Sequence, residues 1–65
     1  MSPKAVDVSI LGQTYRVKGE ADDAYVKDGA RYVDGKMREV NDGGGGGSPV
    51  RVAVLAAFNI ADELF

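Results

Sequence analysis

The side chains that could carry out chemistry in this 65-residue chain are carboxylates, because the sequence contains neither histidine nor cysteine. Structural zinc sites draw mainly on those two residues, and nucleophilic catalysis needs a base beside the nucleophile. The carboxylates are spread along positions that the pattern predicts to be exposed, with no nucleophile–base pair among them. We therefore expect no enzymatic activity, no metal site and no cofactor. Seven of the ten carboxylates in the chain are considered in this way: Asp22, Asp23, Asp28, Asp34, Asp42, Asp62 and Glu63.

A run of five glycines at residues 43–47 is the second feature with a possible chemical role, since glycine-rich loops can cradle phosphate groups. The run lacks the lysine of a phosphate-binding loop and follows a predicted helix rather than a strand. We interpret residues 42–47 as a flexible connector. Five glycines in so short a domain indicate a connector of the engineered kind that replaces a longer natural loop; a natural glycine loop is the alternative.

Three basic residues, Arg16, Lys18 and Arg51, are candidates for contact with an acidic protein surface. The simpler interpretation is that Arg16 and Lys18 pair with Ser9 and Asp7 on the solvated side of a β-ribbon, and that Arg51 is solvated in a first helical turn. The net charge is −2, whereas nucleic-acid-binding domains are usually basic on one face. We expect no nucleic-acid partner.

The length predicts one small domain over residues 1–65 with little margin of stability, since so short a chain buries limited apolar surface. Disulfides and structural zinc are not available, so self-association is the expected source of additional stability. The longest apolar run, residues 52–58, is too short to cross a membrane, and no signal peptide follows Lys4. We expect a cytoplasmic protein without a membrane partner.

Residues 6–18 predict a β-hairpin, because Val6, Val8 and Ile10 alternate with polar residues. A type II′ turn at Gly12–Gln13 would set the pairing of the strands. The apolar side of this ribbon must then pack on a helix. The predicted partners are Ile10 with Tyr15, Val8 with Val17, Ser9 with Arg16, and Asp7 with Lys18.

Residues 22–41 predict a first helix with a single apolar stripe, broadened by Tyr25 and Tyr32. Gly29 and Gly35 lie off the stripe and weaken the helix. The stripe consists of Val26, Ala30, Val33, Met37 and Val40.

Residues 49–65 predict a second helix that starts after an N-cap at Ser48, with Pro49 in the first turn. Its apolar arc is about twice as wide as that of an ordinary surface helix. We expect its own chain to cover one part and a second copy to cover the other. Asn59 forms either a buried polar pair across a dimer axis or local hydrogen bonds. The candidate self-association residues are Val50, Val54, Ala57, Phe58, Asn59, Ala61, Leu64 and Phe65.

The opposite side of this second helix is interpreted as polar, with Val52 and Leu55 interrupting it. Phe65 ends the chain without a stop signal, so we expect the natural helix to continue further. Taken together, the elements predict an α+β fold of the order ββαα, with the second helix at an oligomer interface.

Three stretches resemble one family: VDVSILGQTYRVKG, ARYVDGKMREV and SPVRVAVLAAFNIADELF. They are similar, in the same order, to the hairpin, first helix and second helix of the head domain of ZapA, a bacterial cell-division accessory protein. The resemblance implies a non-enzymatic module that self-associates, binds filaments of the tubulin-like GTPase FtsZ and stabilises the division ring at mid-cell. It also implies a long coiled coil beyond the second helix, which this chain lacks.

The resemblance places candidate FtsZ contacts at Gln13, Arg16, Lys18 and Arg51. Relatives often carry a basic residue where this chain has Gln13. The competing hypothesis is a truncated or engineered dimerisation scaffold that has kept no partner, which the glycine connector favours.

Overall fold

The computed structural model describes residues 4–45 and 47–65 and shows a β-hairpin followed by two helices. The predicted α+β class, of the order ββαα, is thereby confirmed. Residues 1–3 and Gly46 of the connector lie outside the described residues. The elements are β1 (Lys4–Ile10), β2 (Gln13–Gly19), α1 (Asp23–Val40) and α2 (Pro49–Leu64).

The chain divides into two compact units, Met1–Asp34 and Gly35–Phe65. The first unit holds the hairpin and most of α1. The second holds the end of α1, the connector and α2. Each unit is described by itself below.

The hairpin has a different register from the one predicted. Val8 lies opposite Tyr15 and Val6 opposite Val17, two residues away from the predicted partners. Because the shift is an even number of residues, apolar side chains still share one face of the ribbon. The opposite face pairs Asp7 with Arg16, whose side chains form an ion pair at 3.1 Å. The predicted pairs Asp7–Lys18 and Ser9–Arg16 are wrong, since Lys18 lies opposite Ala5 and Ser9 opposite Thr14.

The physical reason for the shift lies in the turn. Leu11 and Gly12 both have positive φ angles, 51° and 79°, which define a type I′ turn at Leu11–Gly12. Its twist matches that of the two strands better than most alternatives. The left-handed conformation costs a leucine about 1–2 kcal/mol, so other contacts must hold it.

The core of the first unit lies between the hairpin and α1. Val6 and Val8 are buried together with Ala30 of α1, and Ile10 and Val26 pack against this cluster. The expectation that the apolar side of the ribbon rests on a helix is confirmed. The β2 half of that side stays more open, since Tyr15 and Val17 are exposed.

The predicted stripe of α1 is the side of the helix that is covered. Ala30 and Met37 are buried, and Val26, Val33 and Val40 are half-buried. Tyr25 and Tyr32 do not extend this covered stripe, because both are exposed.

The connector begins as a continuation of α1 rather than as an extended loop. Asn41–Gly45 form a wider, π-type helical turn that contains a kink at Gly44. Gly44 has a φ of 86°, which glycine adopts without the steric penalty of a side chain.

Helix α2 starts as the sequence predicts. The Oγ atom of Ser48 accepts a hydrogen bond from the backbone N–H of Arg51 at 3.1 Å, and Pro49 occupies the first turn. Such a cap stabilises a helix by about 1 kcal/mol. No helix among the described residues is long and apolar enough to span a bilayer.

Candidate interaction surface

One side of α2 is covered by its own chain, and it is not the side that the apolar stripe suggested. Val52 is 1% exposed and Ala56 is equally buried. The interpretation of Val52 as an interruption of a polar side is therefore wrong. Val52, Ala56 and Ile60 follow each other at steps of four, which is the signal that could have identified this inner side.

An ion pair lies on the same inner side of α2. The Nζ atom of Lys36, near the end of α1, is 2.5 Å from Oε2 of Glu63. The Lys36 side chain is 22% exposed and that of Glu63 is 40% exposed, so the pair is partly shielded from water. Sequence reasoning had placed Glu63 among the solvated carboxylates. No local pattern links residues 36 and 63, since they belong to different elements.

The opposite side of α2 carries the predicted self-association residues and is open to solvent. Val50 is 72% exposed and Phe58 is 67% exposed. Exposed apolar side chains that are contiguous, rather than single, mark interaction sites in soluble proteins. We call this set the outer face of α2. It spans an arc of about 120° and consists of Val50, Val54, Ala57, Phe58, Ala61, Leu64 and Phe65.

The outer face is not flat. Val54, Ala57, Phe58 and Ala61 line a shallow depression of about 270 Å³. Two of the four lining residues are alanines, and the other two have larger side chains. Small residues flanked by large ones allow a second helix to approach closely, as knobs fitting into holes.

Asn59 does not share the outer face with the other candidates. It is exposed and lies about 140° around the helix axis from Val54. The structure therefore separates it from the depression, although it follows Phe58 directly in sequence.

The candidate filament contacts fall into two groups. Arg16 and Lys18 lie on one face of β2, whereas Gln13 lies on the other, because successive strand residues alternate. All three are exposed. The guanidinium of Arg16 is engaged with Asp7. Arg51 belongs to the second unit, in the first turn of α2.

A further contact at the hairpin turn was missed at the level of sequence. The carboxylate of Asp34 accepts a hydrogen bond from the backbone N–H of Leu11 at 2.6 Å, in a partly buried position. The two residues are 23 positions apart, so no local pattern reveals the bond. It ties the turn at the end of the ribbon to α1.

Comparison with known proteins identifies the family. The model of the family described as "Cell division protein ZapA" matches residues 6–65. The chain belongs to the ZapA family. Three ZapA proteins illustrate the similarity: that of Shouchella clausii is 42% identical over 60 residues, that of Halalkalibacterium halodurans 42% over 57 residues, and that of Pseudomonas aeruginosa 43% over 58 residues.

These alignments cover 92%, 88% and 88% of this chain, and 77%, 63% and 56% of the respective relatives. The chain thus spans between about half and three quarters of the length of these ZapA proteins. A solved structure described as an unknown conserved bacterial protein from Pseudomonas aeruginosa PAO1 has a TM-score of 0.79 and 38% identity, over 92% of this chain and 67% of that one. The predicted family, which is named for bacterial cell division, is confirmed.

No group of residues in the part of the chain that the structure describes is arranged to hold a metal ion. The features that the structure does offer are an apolar helix face, an exposed hairpin and a fixed turn.

Proposed function

We propose that the chain is a non-enzymatic module of the cytoplasmic division machinery that self-associates through the outer face of α2 and binds FtsZ filaments at mid-cell. One observation carries the proposal: α2 has an inner side that is buried and an outer face whose large apolar side chains stay exposed in the part of the chain that the structure describes.

Association through the outer face has a clear driving force. Fully burying a valine, leucine or phenylalanine side chain contributes about 1.5–3 kcal/mol. The face offers four such residues besides the terminal phenylalanine, and a symmetric dimer uses each of them twice. In this proposal the depression lined by Val54, Ala57, Phe58 and Ala61 receives side chains from α2 of the second copy.

Self-association gives a direct route to filament bundling. A single copy with one filament-binding surface can coat a filament but cannot join two of them. A symmetric dimer carries two such surfaces, so it can connect neighbouring filaments and gains avidity from both contacts. In this proposal α2 joins the copies, and the hairpin residues Gln13, Arg16 and Lys18, together with Arg51, contact FtsZ.

Two variants separate these roles. Phe58→Asp places a charge in the outer face, and we expect it to keep filament binding but to lose self-association and bundling. Asn59→Asp adds the same charge at the next residue but on another side of the helix, and we expect it to behave as the unmodified chain. If Asn59→Asp also separates the copies, the interface includes the polar pair rather than the outer face alone.

A second pair of variants addresses the filament contact. Lys18→Glu reverses an exposed charge on the hairpin, and Lys27→Glu reverses an equally exposed charge on α1. We expect the first to weaken co-sedimentation with FtsZ filaments and the second to have little effect.

Co-sedimentation with polymerised FtsZ is the test, with high-speed pellets reporting binding and low-speed pellets reporting bundling. The proposal predicts that the chain appears in both pellets. A chain that is dimeric but stays in the supernatant would refute the partner and favour the scaffold hypothesis.

A further inference from the structure

Aspartate is followed by glycine at three places in this chain, residues 28–29, 34–35 and 42–43. Such pairs are where aspartate isomerises most readily, because glycine has no side chain beside the backbone nitrogen that attacks the carboxyl group. The reaction requires the glycine nitrogen to reach the Cγ atom of the aspartate, so the local backbone decides whether it proceeds. The three pairs have the same two residues but different places in the fold.

The first two pairs lie inside α1, where the backbone is regular and hard to distort. In an α-helix each N–H donates to the carbonyl four residues earlier, which fixes the torsion that must change before the ring can close. Both carboxylates are also engaged, that of Asp28 with Arg31 at 3.0 Å and that of Asp34 with the N–H of Leu11 at 2.6 Å. Cyclisation at either pair therefore requires part of α1 to open.

The third pair follows the end of α1, where the helix loses its regular form. Asn41–Gly45 form a π-type turn, and Gly44 departs from helical geometry with a φ of 86°. Asp42 and Gly43 are exposed, and a Cβ atom at Gly43 would meet nothing within 4 Å. Glycine is the weakest helix former apart from proline, and helix ends open at almost no cost in free energy. The two reacting atoms therefore meet most easily at this pair.

We propose that Asp42 is a modification site, at which aspartate converts into isoaspartate without an enzyme. The Gly43 nitrogen attacks Cγ of the Asp42 carboxyl group and forms an N–Cγ bond. The Cγ–OH bond breaks, and the hydroxyl leaves with the proton of the nitrogen as one water molecule, which closes a five-membered succinimide. Water then opens the ring at the main-chain carbonyl, so that the peptide link runs through Cγ and the carboxylate lies on Cα. One water is lost and one is gained.

The product alters the connector and leaves the packing of α2 in place. Isoaspartate inserts one additional carbon into the backbone after residue 42, so the regular hydrogen-bond spacing of a helical turn cannot continue through it. Helix α2 is held by other contacts, because Val52 is buried and Glu63 pairs with Lys36. We expect the modified chain to stay folded, with faster amide exchange at Asn41–Gly45 and unchanged exchange at Val52.

The unmodified chain supplies its own controls. The protein is aged in near-neutral buffer at physiological temperature, digested, and analysed by electron-transfer mass spectrometry, which distinguishes isoaspartate from aspartate at each position. We expect at least about tenfold more isoaspartate at residue 42 than at residues 28 or 34, because a helix interior opens far less often than a helix end. In guanidinium chloride, which removes the fold, the three positions should react at similar rates.

Variants test the reacting atoms. Gly43→Ala places a methyl group beside the attacking nitrogen, in space that accommodates it, and we expect isoaspartate at residue 42 to fall severalfold. Gly35→Ala is the matched control, since it makes the same change at another pair where a Cβ atom also meets nothing within 4 Å. It should leave the signal at residue 42 unchanged. Asp42→Asn has ammonia as the leaving group and should react faster than the unmodified chain.

None of these measurements depends on a partner, so the inference is independent of the proposed function. Equal amounts of isoaspartate at the three pairs in the folded chain would overturn it. Its absence from residue 42, under conditions in which the denatured chain forms it, would do the same. An undiminished signal in Gly43→Ala would exclude attack by the Gly43 nitrogen. Equal amide exchange at Asn41–Gly45 in the modified and unmodified chains would overturn the expected change in the connector.

Discussion

Replacing Val52 by alanine should destabilise the chain far more than the same replacement at Val50, two residues earlier in α2. Val52 is 1% exposed, whereas Val50 is 72% exposed. The comparison keeps the chemistry and the helix constant and changes only the side of α2 that is altered. It therefore tests whether the side of α2 that contains Val52 is the buried one. The apolar pattern of the sequence predicts that side to be polar.

The magnitudes follow from burial. Removing two buried carbon groups at Val52 loses about 1.6 kcal/mol of transfer free energy, and the cavity left behind raises the loss to about 2–3 kcal/mol. At Val50 only about a quarter of the side chain is covered, so the loss is about 0.4 kcal/mol. The better helix propensity of alanine offsets that amount, which leaves a net change near zero.

Thermal and urea unfolding followed by circular dichroism would measure both variants. For a domain of this size, 1 kcal/mol corresponds to about 4–8 °C in Tm, so Val52→Ala should melt at least about 8 °C lower. The measurement needs several protein concentrations, because Val50 belongs to the proposed interface. Val50→Ala should alter only the dependence of Tm on protein concentration. A neutral Val52→Ala, or a larger loss at Val50 in dilute solution, would refute the assignment.

Two further changes test single features of the fold. Gly29→Ala should raise the free energy of unfolding by about 0.5–1 kcal/mol, because a Cβ atom at residue 29 meets nothing within 4 Å. Gly12→Ala should lower the free energy of unfolding, because the φ of residue 12 is +79°. Equal effects of the two variants in urea titrations would contradict this expectation. Glu63→Gln should cost about 1 kcal/mol at low salt and less at high salt, since it breaks the partly shielded 2.5 Å pair with Lys36. Glu39→Gln, which breaks the longer 3.7 Å pair with the same lysine, is its control and should cost much less.

Local patterns were enough to predict the elements themselves. Alternation in β1, the stripe of α1 and the Ser48–Pro49 start of α2 each depend on residues that are close in sequence, and the structure contains all three. The apolar stripe of α1 also identified its covered side, because that helix is apolar on one side only.

The register of the hairpin could not be predicted in the same way. Gly12 is compatible with a turn at either Leu11–Gly12 or Gly12–Gln13, and the usual turn preferences disfavour leucine at a positive φ. The contact that makes Leu11 acceptable comes from Asp34 in α1, which is remote in sequence. Turn preferences alone therefore predict a turn at Gly12–Gln13, whereas the structure has the turn at Leu11–Gly12.

The inner side of α2 could not be predicted from the sequence for a different reason. Apolar residues surround most of this helix, so periodicity does not reveal which of them the chain itself covers. The stripe with the two phenylalanines, Phe58 and Phe65, predicts a covered side there, whereas the structure buries Val52 and Ala56 instead.

The central claim, that the outer face of α2 joins copies of the chain, is tested most directly by sedimentation equilibrium over a range of concentrations. One copy has a mass of 6.8 kDa. We expect the unmodified chain to reach at least twice that mass as concentration rises, and Phe58→Asp to stay folded at the mass of a single copy. An unmodified chain that remains a folded single copy at every concentration would contradict the claim.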